Sequence, residues 1–309
     1  MLRLLERSTH LLYFDVILLL MLPLLSSQLS LPPDGHGRAA REAHAAAALI
    51  KGGTKLPITA KQEIATKAMQ QWLEAAYEQV DYAAVLEATD EVSTSYLATD
   101  DETTTYGEFP LSFFLALLDH LAPPATASFL DLGSGRGQLV LAAAKYRTWM
   151  ACRGVEITPE LHFIARDAGQ WACKNIRATH DVELAFTLGD IYKQDIGRQD
   201  EFVFCYATCL EVDDAGTLAR LYRCLQGLKA GATVVTINRP LVPILRKRAP
   251  MADLVTNDGI VEPESSSFEL QEILKGPNPE AEADGLLSVA FVWKKLPCQI
   301  PSQLPSKYT

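Results

Sequence analysis

The sequence predicts an α/β fold, a doubly wound and mostly parallel sheet preceded by a helical extension. Three observations carry this. An apolar run, Phe129 to Leu132, stops at Gly133-Ser134-Gly135-Arg136-Gly137, and the helix-forming run Gln138 to Lys145 follows, so a strand, a tight turn and a helix start are read in succession. The alternation then repeats, with strand-like runs at Cys152–Ile157, Ala185–Leu188, Glu201–Tyr206 and Gly231–Ile237 separated by helical stretches. Polar residues stand at the ends of those runs, notably Glu156 and Asp190. In open α/β sheets the ligand lies at the strand C-termini, so that edge is the place to look for a site.

Composition narrows the class. With 309 residues, 48% apolar and 21% charged, the chain suits one or two globular domains. Its 28 basic and 38 acidic residues give a net charge of −10, which argues against a basic groove for nucleic acid. The one short basic cluster, Arg246-Lys247-Arg248, reads as solvated surface. Six cysteines are present, none in a Cys-x-x-Cys pair and none grouped with histidine at structural-zinc spacing. They read as unpaired thiols in a reducing compartment, and no metal is expected.

Taken in order, residues 1–30 form a hydrophobic segment resembling a signal or anchor. Arg3 and Arg7 precede an apolar run that Asp15 interrupts, and the run is shorter than the roughly 20 residues of a spanning helix. Membrane or organelle targeting, with membrane association through this segment, is one expectation. An extension that packs on the protein or is disordered is the other. Residues 31–58, opened by Leu31-Pro32-Pro33-Asp34-Gly35, read as a linker. Residues 59–125 form a helical N-terminal extension. Thr59 and Gln62 have capping-box spacing, and Ile64, Ala68, Trp72, Ala76 and Val80 fall on one stripe, flanked by Ala65, Met69 and Leu73. Glu87 to Thr105 is polar and without period, and Pro110 then opens a helix whose apolar residues nearly encircle it, predicting burial. Residues 126–296 make the main domain. Within it Thr158-Pro159-Glu160 opens one helix and Asp213-Asp214 cap another that runs to Leu228. Phe268–Leu274 and Leu287–Trp293 are expected to close the sheet as an antiparallel pair, and 297–309 form a loose tail.

The glycine spacing is Gly-x-Gly-x-Gly, not the Gly-x-Gly-x-x-Gly of dinucleotide sites, and the acidic Asp131 precedes it. This resembles the first motif of class I S-adenosylmethionine (SAM) methyltransferases. The likeness implies that Asp131 faces the methionine amino group while the backbone of Gly133, Gly135 and Gly137 lines its carboxylate and the ribose. Glycine suits both a sharp turn and a close backbone approach. Glu156, about 20 residues past the loop, suits hydrogen bonds to ribose hydroxyls. Asp190 is placed to accept from an adenine amino group and Ile191 to pack on the ring, although, taken by itself, Asp190 reads more simply as an acidic turn residue.

Tyr106-Gly107-Glu108, Phe129 to Gln138, Gly154-Val155-Glu156 and Gly189-Asp190 together resemble the disruptor-of-telomeric-silencing (Dot-one-like, non-SET) histone-lysine methyltransferase family over roughly half of the chain. The resemblance implies a Rossmann-like seven-strand SAM methyltransferase fold, SAM as cofactor, and cofactor contacts from Glu108, Gly133, Gly135, Gln138, Glu156 and Asp190. It also implies a protein lysine as methyl acceptor and the nucleus as an alternative location. Where those histone enzymes carry an Asn-Asn-aromatic run, this chain has Tyr206-Ala207-Thr208-Cys209. Tyr206 and Thr208 are the candidates for orienting an amine, against ordinary strand-end residues. Methylation of a small molecule, and a membrane-tethered SAM-binding module without activity, remain open beside the lysine reading.

Overall fold

In the computed structural model, the described residues are 52–96, 108–176, 182–213, 216–242, 244, 267–278 and 287–297, with side chains 90–96 and 209 excepted. The chain divides into residues 1–41 and 42–309, and every described residue belongs to the second unit. The targeting-like segment 1–30, Tyr106-Gly107, Asp214, the basic cluster 246–248 and the tail beyond 297 lie outside the described residues.

Eight strands form one sheet. They are β1 (Thr54–Lys55), β2 (Ser128–Leu132), β3 (Ala151–Glu156), β4 (Glu183–Leu188), β5 (Phe202–Cys205), β6 (Thr233–Ile237), β7 (Phe268–Pro277) and β8 (Leu287–Lys295). Their order is β1-β7-β8-β6-β5-β2-β3-β4. The pairs from β6 through β5, β2 and β3 to β4 are parallel, whereas β8 runs antiparallel to both of its neighbours, β6 and β7. The expected closing pair therefore forms, with β8 inserted between β6 and β7. The helices are α1 (Ala60–Tyr77), α2 (Tyr82–Tyr96), α3 (Leu111–Leu121), α4 (Gln138–Tyr146), α5 (Pro159–Asn175) and α6 (Ala219–Cys224).

Alternation along the strands sorts side chains onto two cores. Phe129, Cys152, Phe202, Phe204, Val235 and Ile237 join α1 to α5 on one face. Leu130, Leu132, Val155, Val203, Cys205 and Val234 meet α6 and its neighbours on the other. By the same period of two, Asp131 and Glu156 belong to the face covered by α1 to α5. The central helix α3 is buried from Phe113 through Leu118, and Phe114 packs on Phe129 and Phe204 at 5.8 and 5.4 Å between ring centres.

Four expectations change. Thr54–Lys55, inside the segment read as a linker, adds an eighth strand parallel to β7. Two residues are too few to leave a periodic signal, and the neighbouring Gly53 lies so flat on the sheet that a Cβ there would come within 2.7 Å of the Ile273 side chain. The capping box of Thr59 and Gln62 closes as expected, but α1 is rotated: Gln62, Thr66, Met69, Leu73, Ala76 and Tyr77 are buried, while Ile64 is 70% exposed. The stripe through Ile64 misled because alanines sit all round this helix and blur the period. Helix α2 occupies much of the stretch read as aperiodic. It starts where the Asp81 carboxylate accepts from the amides of Ala83 and Ala84, a cap that the polar residues beyond Glu87 obscured. Finally, Asp213 does not cap α6. Its carboxylate accepts from the amide and hydroxyl of Thr217, closing a turn, and α6 gives way at Leu225 to a single 3₁₀ turn.

Candidate active site

Because β2 to β6 are parallel, their C-terminal ends share one edge, and the sequence-predicted residues gather there. Across it, in strand order, stand Asp190 beyond β4, Glu156 at the end of β3, the glycine loop after β2, and Tyr206 after β5. The connection leaving β4 crosses to β5 on the far side of β2, so the reversal of strand order falls beside the glycine loop.

The loop needs its glycines. Gly133, Gly135 and Gly137 have φ of 80°, 55° and 81°, the left-handed region that a side chain disfavours. The amides of Gly133 and Ser134 both donate to the Val155 carbonyl at 2.9 Å, which binds the loop to β3. A Cβ on Gly133 would meet nothing within 4 Å, so this backbone faces open space where a ligand can approach. Gly137 is different: a Cβ there would come within 2.7 Å of Phe186, which also fills the space over Gly169. Phe186 thus wedges α4 and α5 onto β4, and it escaped the sequence reading because one aromatic residue in a short strand looks like ordinary core.

Two carboxyl groups share the buried side of the loop. Glu156 accepts from the amide of Gly135 at 2.7 Å and from that of Thr158 at 2.8 Å. A carboxylate offers about four acceptor positions, so two remain for hydroxyl donors. Asp131 is 2% exposed; burial, with a smaller contribution from the Glu156 charge, pushes its carboxyl up to about 8. A cation arriving beside it would restore the charge. Asp190 caps a 3₁₀ turn at Ile191–Lys193, accepting from the Tyr192 amide at 2.8 Å with Lys193 at 3.4 Å, and Ile191 is buried next to it. The turn-residue reading of Asp190 therefore holds locally.

Glu108, described although Tyr106 and Gly107 are not, pairs with Arg136 of the loop at 2.5 Å. The Arg136 guanidinium lies 4.3 Å over the Tyr77 ring, and the Tyr77 hydroxyl donates to the Arg136 carbonyl at 3.3 Å. Burial raises the Tyr77 hydroxyl well above its ordinary range, so it stays a donor. These groups, with Gln70, Leu73, Glu74, Glu78, Tyr82 and Gln138, line a cavity of about 520 Å³. Sequence reasoning found Glu108 and Gln138 but neither Arg136 nor Tyr77, since the contact between 77 and 136 follows no local period.

Tyr206 is half-buried, its ring 5.4 Å from that of Phe109, the residue after Glu108. The carbonyl of Thr208 accepts from the Arg239 guanidinium at 2.9 and 3.3 Å, so the tip after β5 is pinned from the end of β6. Arg239 was not anticipated, because nothing marks it in the sequence apart from its place after a strand. Among the described residues no group of His, Cys, Asp and Glu could hold a metal ion, and no helix is long and apolar enough to cross a membrane.

A methionyl nucleoside with an ammonium, a carboxylate and ribose hydroxyls fits this donor set: two buried carboxyls, an open glycine backbone and an ion pair beside a polar cavity. Fold and site together define a Rossmann-like SAM-dependent methyltransferase. The family model described as histone methylation protein DOT1 matches residues 82–250 of the 309, and the chain belongs to that family. No curated protein matches in a sequence search. Among solved structures, the chain is similar to an RNA methyltransferase from Salinibacter ruber crystallised with S-adenosyl-L-homocysteine, at 20% identity and a TM-score of 0.40 over 64% of this chain and 99% of that one. It is also similar to TrmN from Thermus thermophilus, at 18% identity and 0.42 over 63% of this chain and 52% of that one. A phosphoethanolamine N-methyltransferase from Haemonchus contortus aligns at 18% identity and 0.34 over 52% and 36%.

Proposed function

We propose that this chain transfers a methyl group from SAM to the side-chain nitrogen of a protein lysine. Asp131, Glu108, Gln138 and the backbone of Gly133 and Gly135 would hold the amino-acid end of the cofactor, Glu156 the ribose, and Asp190 with Ile191 the adenine. When bound, SAM would supply a methyl on a sulfonium for in-line transfer to the lone pair of an amine that has already lost its proton to solvent, with S-adenosylhomocysteine as the leaving thioether.

The chain's own task is positioning. An amine with a solution pKa of about 10.4 must be neutral to react, and desolvation lowers that pKa. Tyr206, whose ring packs 5.4 Å from that of the buried Phe109, would present an apolar wall beside the strand tip for this purpose. Tyr206 and Thr208 would orient the amine, and the bond from Arg239 to the Thr208 carbonyl keeps the tip in register. Holding nitrogen and methyl at near-attack distance accounts for most of the acceleration, and no dedicated base is required.

The observation that favours a protein acceptor over a small molecule is the match of residues 82–250 to the histone methylation family model. The cavity beside α1 belongs to the cofactor's amino-acid end, and it is polar, with Glu74, Glu78 and Glu108 among its lining residues. A small-molecule enzyme would be expected to close an apolar pocket under its N-terminal helices. Incubating the purified chain with radiolabelled SAM and fractionated lysate tests the reading. Label on protein supports it. Label confined to small molecules, or no transfer despite SAM binding, overturns it.

A further inference from the structure

We infer that Arg136 binds the carboxylate of the cofactor's amino-acid end, and that Tyr77 of α1 holds it in place to do so. This rests on the reading of the edge as a SAM site, and it adds two residues to that site. Tyr77 lies outside the family-matched segment 82–250, so α1 completes the cofactor site from beyond the matched region.

The geometry is that of a carboxylate receptor. An arginine fork binds a carboxylate along its edge while its flat face remains available for stacking. Here the face is covered by Tyr77, with Cζ 4.3 Å from the ring centre, and the backbone of the same residue is fixed by the Tyr77 hydroxyl. Glu108 shows that a carboxylate fits against Nε, at 2.5 Å. The Nη2 atom extends towards Gln138 Oε1 at 3.5 Å, at the first residue of α4. Both members of the ion pair are only about a third exposed, 33% for Arg136 and 35% for Glu108, and among the described residues Arg136 is the one basic side chain lining the cavity.

The amino-acid end of the cofactor is a zwitterion, and the Glu108–Arg136 pair is its charge complement. Opening the pair to admit it gives Arg136 a new carboxylate and Glu108 an ammonium, so neither half-buried charge is left without a partner. A neutral or purely cationic ligand would leave Arg136 or Glu108 uncompensated. The pair therefore selects for the amino-acid end, while the nucleoside end is held by Glu156, Asp190 and Ile191.

Calorimetry with two ligands separates the ends. S-adenosylhomocysteine carries the amino acid; 5′-methylthioadenosine is the same nucleoside thioether without it. In Arg136→Met the affinity ratio of the first ligand to the second should fall about tenfold or more, the loss of a charge-assisted hydrogen bond, with methylthioadenosine binding unchanged. Tyr77→Phe, which keeps the ring and loses the hydroxyl, should lower the same ratio by a smaller factor. Equal losses for both ligands, or no loss for either, would overturn the inference. If Arg136→Met does not fold, Arg136→Lys decides: it keeps the charge without the fork, and an unchanged ratio would count against the proposal. A wild-type chain that binds neither ligand would remove the SAM reading and this inference with it. A wild-type chain that binds both, with a ratio insensitive to Arg136, would remove the inference alone.

Discussion

Glu156 accepts a hydrogen bond from the amide of Gly135 at 2.7 Å, and through it the end of β3 sets the shape of the loop after β2. The same carboxylate accepts from the Thr158 amide at 2.8 Å and so fixes the entry of α5. One side chain thus ties the loop after β2 to the start of α5, and about two of its acceptor positions remain for further donors.

Glu156→Ala should therefore weaken SAM binding by about 1–3 kcal/mol while the sheet stays folded. Calorimetry on the folded variant reads the affinity, and far-ultraviolet circular dichroism reads the fold. Unchanged affinity would remove Glu156 from the site.

Asp131 makes stability depend on pH. Its carboxyl is raised to about 8 in the folded chain, against about 3.9 when unfolded, so between those values the folded state binds more protons. Stability should then fall as pH rises from about 4 through about 8, with the slope set by that proton difference. Asp131→Asn should flatten the slope in denaturant titrations across this window. Cofactor binding should release a proton below about pH 8, because the ligand ammonium favours the ionised carboxyl. Calorimetry in two buffers of different ionisation enthalpy detects that release. A binding enthalpy independent of buffer would contradict it.

Gly154 faces the loop from β3. A Cβ there would come within 2.5 Å of Ser134 Oγ and 2.8 Å of Ser134 Cβ. Gly154→Ala should cost about 1–3 kcal/mol of stability by overpacking and should weaken cofactor binding by displacing the loop. Thermal unfolding with and without S-adenosylhomocysteine measures both. A variant as stable and as tight as wild type would show that the loop yields freely.

Tyr206→Phe and Thr208→Val should lower turnover more than SAM affinity, since their hydroxyls are assigned to the amine. Thr208→Val leaves the carbonyl that Arg239 holds, so the tip keeps its position. Single-turnover rates beside binding constants make the comparison. Loss of SAM binding in either variant would move these residues out of the acceptor role.

The parallel core of this fold was legible because each β–α step carries its own local signal: an apolar run, a turn and a helix start. The residues at the strand ends followed from that, and Asp131, Glu156, Asp190 and Tyr206 do share one edge. What sequence could not supply are contacts with no period. The Tyr77–Arg136 stack spans 59 positions between α1 and the loop, and the bond from Arg239 to Thr208 spans 31. The buried face of α1 was misplaced because alanines dilute its apolar pattern, and β1 was missed because two residues have no pattern. Asp190 is the reverse case, a residue whose local cap is visible and whose ligand role rests on its position.

Charge bears on the choice of acceptor. With a net charge of −10 the chain lacks the excess of basic residues that gives affinity for polyanionic DNA on nucleosomes. Methylation of nucleosomes at physiological salt should be weak, with better activity on a basic non-histone protein. Robust nucleosome methylation by the purified chain would refute this preference.

Lysine methylation through this site is read out by amino-acid analysis of the labelled product. Protein from a lysate fraction is incubated with the full chain and methyl-labelled SAM, hydrolysed, and separated by residue type. The label should run with methylated lysine, and Glu156→Ala should reduce it at limiting SAM. Label on another amino acid or on nucleic acid, or SAM bound with no methyl transferred, would rule out lysine methylation by this chain.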